Sequence, residues 1–501
     1  MACFVAGGRA LRAPIREGGL FLLSDARGFT RRRGAGRCDG QELGVSVNMV
    51  VDTFLPLHEV PADHTTQSWL RELTRRGVEH RYGEGCGPAI VDRIEYELAV
   101  IEMREAVRYM LVVAEYVNWA KRQGIWVGPG RGSTAGSVVA YALGITEVDP
   151  IRHGLQFDRF LSPNVPAVPD IDIDVERERR HEVVAHIVDA YGATSVAGIA
   201  DIATDPRAHA AGLLIADRPI SEVVPVQPMP RTASSEWLRS VDVLSTLDYV
   251  ESQKRGLVKF DVLGLKHLDT IRRTVDAVQR HQGVTIKPWS QDVPLDDPAS
   301  LRLLGPEDAA DLFQLGGAEL RRLLRALQPA RFEDLVAMLA IYRPDPIKRG
   351  LHTAFIARGH GRLAMDSVHP DVDANLASIL DETRGLLIYQ EQAVEVAHVF
   401  AGMSLPAAEL LRRNLGNVAD AAGRDFMRDF TSGVEGSGYS AAAAQALASW
   451  LLDGLPHAFN KSHAVSCALI TYWCAYLKAH YPAEYDDAVR HSSRAGTVAT
   501  Q

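Results

Sequence analysis

In Pro169-Asp170-Ile171-Asp172-Ile173-Asp174, three carboxylates alternate with apolar residues. Side chains of an extended strand alternate between faces, so Asp170, Asp172 and Asp174 share one face while Ile171 and Ile173 anchor the other in a core. Adjacent like charges are costly without a cation between them, and hard oxygen ligands suit Mg²⁺ or Mn²⁺. The row reads as a metal site for phosphate chemistry. It reads equally as an acidic edge strand whose solvated carboxylates discourage sheet-to-sheet aggregation.

Upstream, Val127-Gly128-Pro129-Gly130-Arg131-Gly132-Ser133-Thr134-Ala135-Gly136-Ser137 runs into the apolar helical pattern of Val138, Val139, Tyr141, Ala142 and Leu143. Glycines permit a tight turn with exposed amides, and a helix beginning near Ser133 would add unpaired N–H groups and its positive dipole end. Such a turn can hold a polyphosphate. It is not a P-loop, because no Gly-Lys-Ser/Thr follows, and it is not a clean dinucleotide fingerprint. Joined to the acidic strand it describes a nucleotidyltransferase, in which amides and a hydroxyl hold a triphosphate while carboxylates hold metals.

The elements that must position these groups are legible around them. Ile94, Leu98, Ile101, Val107, Met110, Leu111, Ala114 and Val117 return to one face of a long amphipathic helix that would pack beneath a sheet. Gly124 ends it, and a short strand Ile125-Trp126-Val127 leads to the glycine turn. The alternation of Val258-Lys259-Phe260-Asp261-Val262 is consistent with a second strand, with Lys259 and Asp261 on one face. His209 takes a structural role by default. Beyond about residue 270 the pattern turns helical: a loop spans 288–298, and Leu320, Leu323, Leu324 and Leu327 form a core stripe. Phe459-Asn460-Lys461-Ser462-His463 caps a helix whose Leu469, Tyr472, Trp473 and Tyr476 read as core.

Composition sets bounds on partners. With 501 residues, 47% hydrophobic and 23% charged, the chain has the make-up of a soluble globular protein of more than one domain. No apolar run approaches membrane-spanning length. Five scattered cysteines (Cys3, Cys38, Cys86, Cys467, Cys474) lack metal-ligand spacing and suggest reduced thiols in the cytoplasm. The net charge of −9 counts against nucleic-acid binding without excluding a locally basic groove. Arg177, Arg179 and Arg180, and Arg321, Arg322 and Arg325, are candidates for backbone contact, although a solvated helix face explains each cluster better. Residues 1–53, rich in Arg and Gly, read as a poorly ordered lead-in.

The run from Val127 to Asp174, together with Leu257-Val258-Lys259-Phe260-Asp261-Val262-Leu263-Gly264-Leu265, closely resembles the alpha subunits of bacterial DNA polymerase III, the C family of DNA polymerases. His209-Ala210-Ala211-Gly212, Tyr342-Arg343-Pro344, Tyr389-Gln390-Glu391-Gln392, Leu411-Arg412-Arg413 and Phe459-Asn460-Lys461-Ser462-His463 match in the same order. The resemblance implies an α+β fold: a nucleotidyltransferase-type palm, a mixed sheet with helices, over 54–270, then a mostly helical fingers domain over 271–490 and a tail at 491–501. It implies Asp170, Asp172 and Asp261 as catalytic metal ligands, with Asp174 in support. Gly132, Ser133, Lys259, Arg343, Arg412, Arg413, Lys461 and His463 are implied at the nucleotide. For Lys259, an ion pair with the acidic cluster stands level with contact to the transferring phosphate.

The activity implied is DNA-directed DNA polymerisation in the cytoplasm, with two Mg²⁺ ions, or Mn²⁺, acting on primer-template DNA and deoxynucleoside triphosphates, and with other replication or repair proteins as partners. Departures from the family shape further expectations. Only Ala193 to Ala208 stands where relatives insert a thumb. No His-x-His cluster marks a phosphoesterase-like domain, and helix-hairpin-helix, clamp-binding and oligonucleotide-binding regions are not matched, so sliding-clamp binding is not supported. Asp345 replaces a glycine, and Asn417-Val418 replaces a basic pair, which predicts weaker triphosphate affinity. These departures fit an alternative: a catalytically impaired paralogue that binds DNA or a polymerase partner. A nucleotidyltransferase acting on a small molecule is a third reading.

Overall fold

The computed structural model describes residues 53–497 except 57–58, 84, 166–168, 202–206, 231–232 and 416–420. Residues 1–52, the Asn417-Val418 departure and the His209 side chain lie outside the described residues. Those described belong to one compact unit.

Helices α1 (Thr66–Tyr82), α2 (Pro88–Met103), α3 (Val107–Arg122) and the short α4 (Val138–Ala142) precede the first strand. The single long helix expected from the apolar period is two, because Glu105 takes a positive φ of 55° between them. The reason is burial. Helix α3 is covered on almost every side, with Tyr109, Met110, Val113, Tyr116 and Val117 among its buried residues, whereas α2 keeps a polar face. Gly124, at φ 71°, ends α3 as expected.

A mixed six-stranded sheet follows, which bears out the α+β reading. Its strands are β1 (Asp172–Glu176), β2 (Val196–Asp201), β3 (Arg207–Ile215), β4 (Val226–Pro228), β5 (Val243–Ser245) and β6 (Lys259–Leu265), in the spatial order β1-β6-β3-β2-β5-β4. Strand β6 lies parallel to β1 and antiparallel to β3. The span 193–208, expected as a bare connection, instead contains β2, paired antiparallel to β3 through a bulge near Gly198 and Ala200. Beneath the sheet, Ile171, Ile173, Val175, Phe260 and Val262 share one core with α3. The Tyr109 ring stacks on Phe260 at 4.9 Å and its hydroxyl accepts the Ile171 N–H at 3.0 Å. That contact fixes the chain one residue before Asp172.

Helices α5 (Arg180–Tyr191), α6 (Tyr249–Gln253) and α7 (Lys266–Gln282) flank the strands. The helical half then runs through α8 (Pro298–Leu303), α9 (Ala318–Leu327), α10 (Phe332–Ile341), α11 (Pro344–Lys348), α12 (Leu351–Gly359) and α13 (Asp373–Ile379). It ends with α14 (Gln390–Ala401), α15 (Leu405–Asn414), α16 (Ala421–Gly436), α17 (Ala441–Gly454), α18 (Lys461–His480) and α19 (Pro482–Thr497). The leucine stripe of α9 is buried as predicted, and Tyr472 and Trp473 of α18 form a second core with α10. A third core joins α14 to α17 through Val394, Phe400, Phe430 and Leu447. None of the described helices is long and apolar enough to cross a membrane.

Close approach of α1 to α4 demands glycine. A Cβ on Gly77 would stand 2.0 Å from the Ala142 carbonyl oxygen. Gly77→Ala is expected to push α1 off the helix that follows the glycine turn, at a cost of about 1–3 kcal/mol read as a lowered urea midpoint.

Candidate active site

Parallel pairing of β1 with β6 sets Asp172 directly opposite Asp261. Asp170 lies two residues earlier, and one carboxylate oxygen from each of the three residues falls within 4.8 Å of the other two. Burial is graded: Asp261 is 5% exposed, Asp172 half-buried and Asp170 open to solvent. The Asp172 carboxyl is pushed up to about 7 by burial, by its hydrogen bond with Asp261, and by the charges of Asp170 and Asp261, with Arg131 opposing. Asp261 Oδ1 is buried without a hydrogen-bond partner. Crowded carboxylates that hold a proton near neutrality, and an orphaned oxygen among them, are the donor set a hard divalent cation fits.

Asp174 shares the face of Asp170 and Asp172 but not their cluster. It is 7% exposed and accepts from Arg131 Nη1 at 3.3 Å; burial lifts its carboxyl above the ordinary range against the pull of that arginine. Arg131 also stands 3.6 Å from Asp172. Lys259 Nζ lies 2.5 Å from Asp261 and 3.7 Å from Asp170. Burial works against the ammonium, yet the bond to Asp261 and the charge of Asp170 outweigh it and hold its pKa above the usual value. The ion pair, one of two roles left open for Lys259, is therefore present. Arg131 was not among the expected site residues; its signal is a lone cation between two glycines that turn toward an acidic strand.

The glycine turn is fastened to that strand. Gly128 N–H donates to the Asp174 carbonyl at 2.7 Å, Glu176 N–H to the Trp126 carbonyl at 2.8 Å, and Val127 pairs with Val175. A Cβ on Gly128 would stand 3.0 Å from the Asp174 Cβ, so any larger residue has to push the acidic strand back by a few tenths of an ångström. The expected helix start near Ser133 is a correction. Ser133 opens a single 3-10 turn, Thr134–Gly136, and α4 begins only at Val138. Its first amides are already occupied: the fully buried Glu97 accepts from Val138 and Val139 N–H at 3.0 Å and from Ser137 Oγ at 2.7 Å, and pairs with Arg93 at 2.7 Å. The helix dipole there is spent on a structural carboxylate, because α2 carries Glu97 into its apolar face between Ile94 and Leu98. The Gly132 N–H in turn donates to His463 Nδ1 at 3.1 Å, which requires a neutral ring nitrogen; burial and Arg131 lower the His463 pKa accordingly.

His463 belongs to α18, whose start is built by two distant motifs. Tyr389 and Phe459 form a parallel bridge, Asn460 caps the helix by accepting the His463 N–H at 2.9 Å, and Glu391 accepts the Lys461 N–H at 3.0 Å. Gln392 holds the Ile388 and Tyr389 amides. The Tyr389-Gln390-Glu391-Gln392 motif is thus scaffolding for Lys461 and His463. Lys461 Nζ pairs with Glu382 at 2.7 Å. Arg343 donates to the Ala340 and His457 carbonyls and lies over Phe459 at 4.7 Å. Arg412 and Arg413 both bind the fully buried Glu409, and Arg159 reaches the same carboxylate at 3.1 Å; these cations hold Glu409 below its usual range despite burial. Sequence reasoning missed Arg159 and Glu391, whose partners Glu409 and Lys461 lie far along the chain, and Glu409, whose partners Arg412 and Arg413 are only three and four residues away.

Residues 68–207 match the family described as the bacterial DNA polymerase III alpha NTPase domain, and residues 267–438 match the bacterial DNA polymerase III alpha subunit finger domain. A palm-like sheet bearing clustered carboxylates, followed by a helical finger domain, defines a polymerase-type nucleotidyltransferase fold. Across these two stretches the chain carries domains of the bacterial DNA polymerase III alpha type. It is 34% identical to the DNA polymerase III subunit alpha of Mycobacterium tuberculosis over 514 aligned positions, which take in 86% of this chain and 43% of that relative. Identity to the subunit of the same name is 31% in Aquifex aeolicus and 32% in Xylella fastidiosa, again across 44% of each relative. The chain thus spans less than half the length of these curated relatives.

Proposed function

We propose that this chain is a DNA-directed DNA polymerase of the C family, acting in the cytoplasm on primer-template DNA and deoxynucleoside triphosphates, with palm at 54–270 and fingers at 271–490. The observation that carries the reading is the convergence on one point beside the glycine turn of Asp172 and Asp261, from adjacent parallel strands, with Asp170, which lies just before β1.

The reaction is in-line attack of a primer 3′-hydroxyl on the alpha phosphate, with pyrophosphate leaving. Two Mg²⁺ ions, or Mn²⁺, supply a lowered hydroxyl pKa and neutralise the leaving group when bound. Asp172 and Asp261 face each other across the pair of strands and would hold them, with Asp170 closing the solvent side. Arg131 and Lys259, already at the carboxylates, would meet the triphosphate there. Gly132 and Ser133 in the turn, Arg343, Arg412 and Arg413 around α11 and α15, and Lys461 and His463 at the start of α18 would orient it. Of these, His463 supports the turn through Gly132.

A second reading, an impaired paralogue that binds DNA or a polymerase partner, has its own support. The alignment with the mycobacterial relative is longer than this 501-residue chain although it takes in only 86% of it, so the relative carries segments without a counterpart here. Between β2 and β3 only residues 202–206 remain. Primer extension with Mg²⁺ separates the two: wild type extends, and Asp172→Ala lowers the rate by about 10²–10³-fold. A wild-type chain that binds primer-template without extending it favours the paralogue.

A further inference from the structure

Among the described residues, every cation assigned to the nucleotide is engaged inside the protein. Lys461 holds Glu382, Arg412 and Arg413 hold Glu409, and Arg343 holds two carbonyl oxygens. At the carboxylate cluster the pairing is most consequential, since Lys259 Nζ contacts Asp261 and Asp170, two of the three residues that offer oxygens to a cation. Arg131 stands at the third, Asp172, and pairs with Asp174 outside the cluster. A lysine ammonium is a compact point charge, able to stand where a metal ion would.

We infer that Lys259 is an internal counter-ion that closes the acidic cluster in the free protein, is displaced when a divalent cation binds, and is then available to the phosphates of the incoming triphosphate. This rests on the polymerase reading and adds an order to it: metal first, triphosphate second, each favouring the other. Like charge drives the displacement, because a divalent cation on Asp170 and Asp261 repels an ammonium bound to the same side chains. An aromatic face already lies beside the paired ammonium. Lys259 Nζ lies 5.0 Å from the Tyr249 ring, a face that can hold a freed ammonium near the site. Arg131 follows the same logic on the other side of Asp172, tethered by the buried Asp174 so that it is not lost from the site.

The test reads Lys259 directly in the full chain. Amine-reactive labelling quantified by mass spectrometry is run on the metal-free protein, with Mn²⁺ alone, and with Mn²⁺ plus pyrophosphate, while Mn²⁺ binding is followed by its spin resonance in the same samples. Lys259 labelling is expected to rise about fivefold with Mn²⁺ and to fall back when pyrophosphate is added. Lys259→Met is expected to bind Mn²⁺ about tenfold more tightly, having lost its competitor. Mn²⁺ that binds while Lys259 labelling stays flat or drops overturns the exchange and leaves the polymerase reading standing. So does a Lys259→Met protein that binds Mn²⁺ no more tightly than wild type. Mn²⁺ that fails to bind the wild-type chain overturns both.

Discussion

Asp172→Asn is expected to make the metal-free protein more stable at pH 8 while removing its metal binding and primer extension. Three carboxylates crowd one point, and the Asp172 carboxyl is raised to about 7 by burial, by its bond with Asp261, and by the charges of Asp170 and Asp261. The unfolded chain would ionise this group near 4. A folded-state pKa raised above the unfolded one means that the stability this group lends is fully present below about pH 4 and is lost as pH rises through about 7. At pH 8 the ionised side chain is therefore a net cost, and asparagine removes it. Asp172 is about a third exposed, so the gain is discounted for solvent screening to about 1–2 kcal/mol. Urea unfolding across pH 4 to 8 checks the sign: the advantage of the variant should grow with pH and vanish near pH 4. Mg²⁺ should reverse the order, since binding to the wild type alone adds about 2.7 kcal/mol at a hundredfold excess over Kd. A wild type that remains the less stable protein in saturating Mg²⁺ would contradict the metal assignment.

Glu97→Ala carries the largest expected loss of stability. Glu97 is fully buried, and its carboxylate, raised by burial against the pull of Arg93 and the α4 amides, satisfies Val138 N–H, Val139 N–H, Ser137 Oγ and Arg93 at once. Alanine leaves Arg93 without its carboxylate and the Val138 and Val139 N–H groups without their acceptor, although the Ser137 cap of α4 remains, at about 3–5 kcal/mol. The glycine turn runs straight into α4, so Gly132 and Ser133 lose their support with it. Urea unfolding should show the deficit, and Mn²⁺ affinity should fall as well, although Glu97 is not among the residues proposed as ligands. Glu97→Gln retains the shape and part of the bonding and should recover about half of the stability. An alanine variant with a wild-type midpoint would remove Glu97 from this role.

Much of the site was legible before any coordinates. Alternation in Asp170-Ile171-Asp172-Ile173 places carboxylates and core on opposite faces whatever the strand pairs with, and the structure keeps that division. The Asn460 cap, the leucine stripe of α9 and the end of α3 at Gly124 were local too. Errors arose where a local pattern was asked to predict a distant partner. The apolar period ran unbroken through Glu105, yet α2 and α3 face different surroundings and separate there. The glycine turn signalled free helix amides, but Glu97, from another helix, had already claimed them. A near partner was missed as well: Arg412 and Arg413 read as open cations and are drawn onto the buried Glu409 carboxylate three and four residues away.

By itself, the sequence determined which groups this protein has to work with: an alternating acidic strand, a glycine turn, a second strand with Lys259 and Asp261 on one face, and motifs in the order of a polymerase family. These follow from backbone periodicity and residue type, which act over a few residues. Only the tertiary structure decided that Asp261 meets Asp172 while Asp174 turns to Arg131, that Lys259 sits among the carboxylates, and that His463 braces Gly132. The physical reason is that Coulomb and hydrogen-bond energies depend on separations of a few ångströms, and between residues far apart along the chain those separations are set by strand register and helix packing.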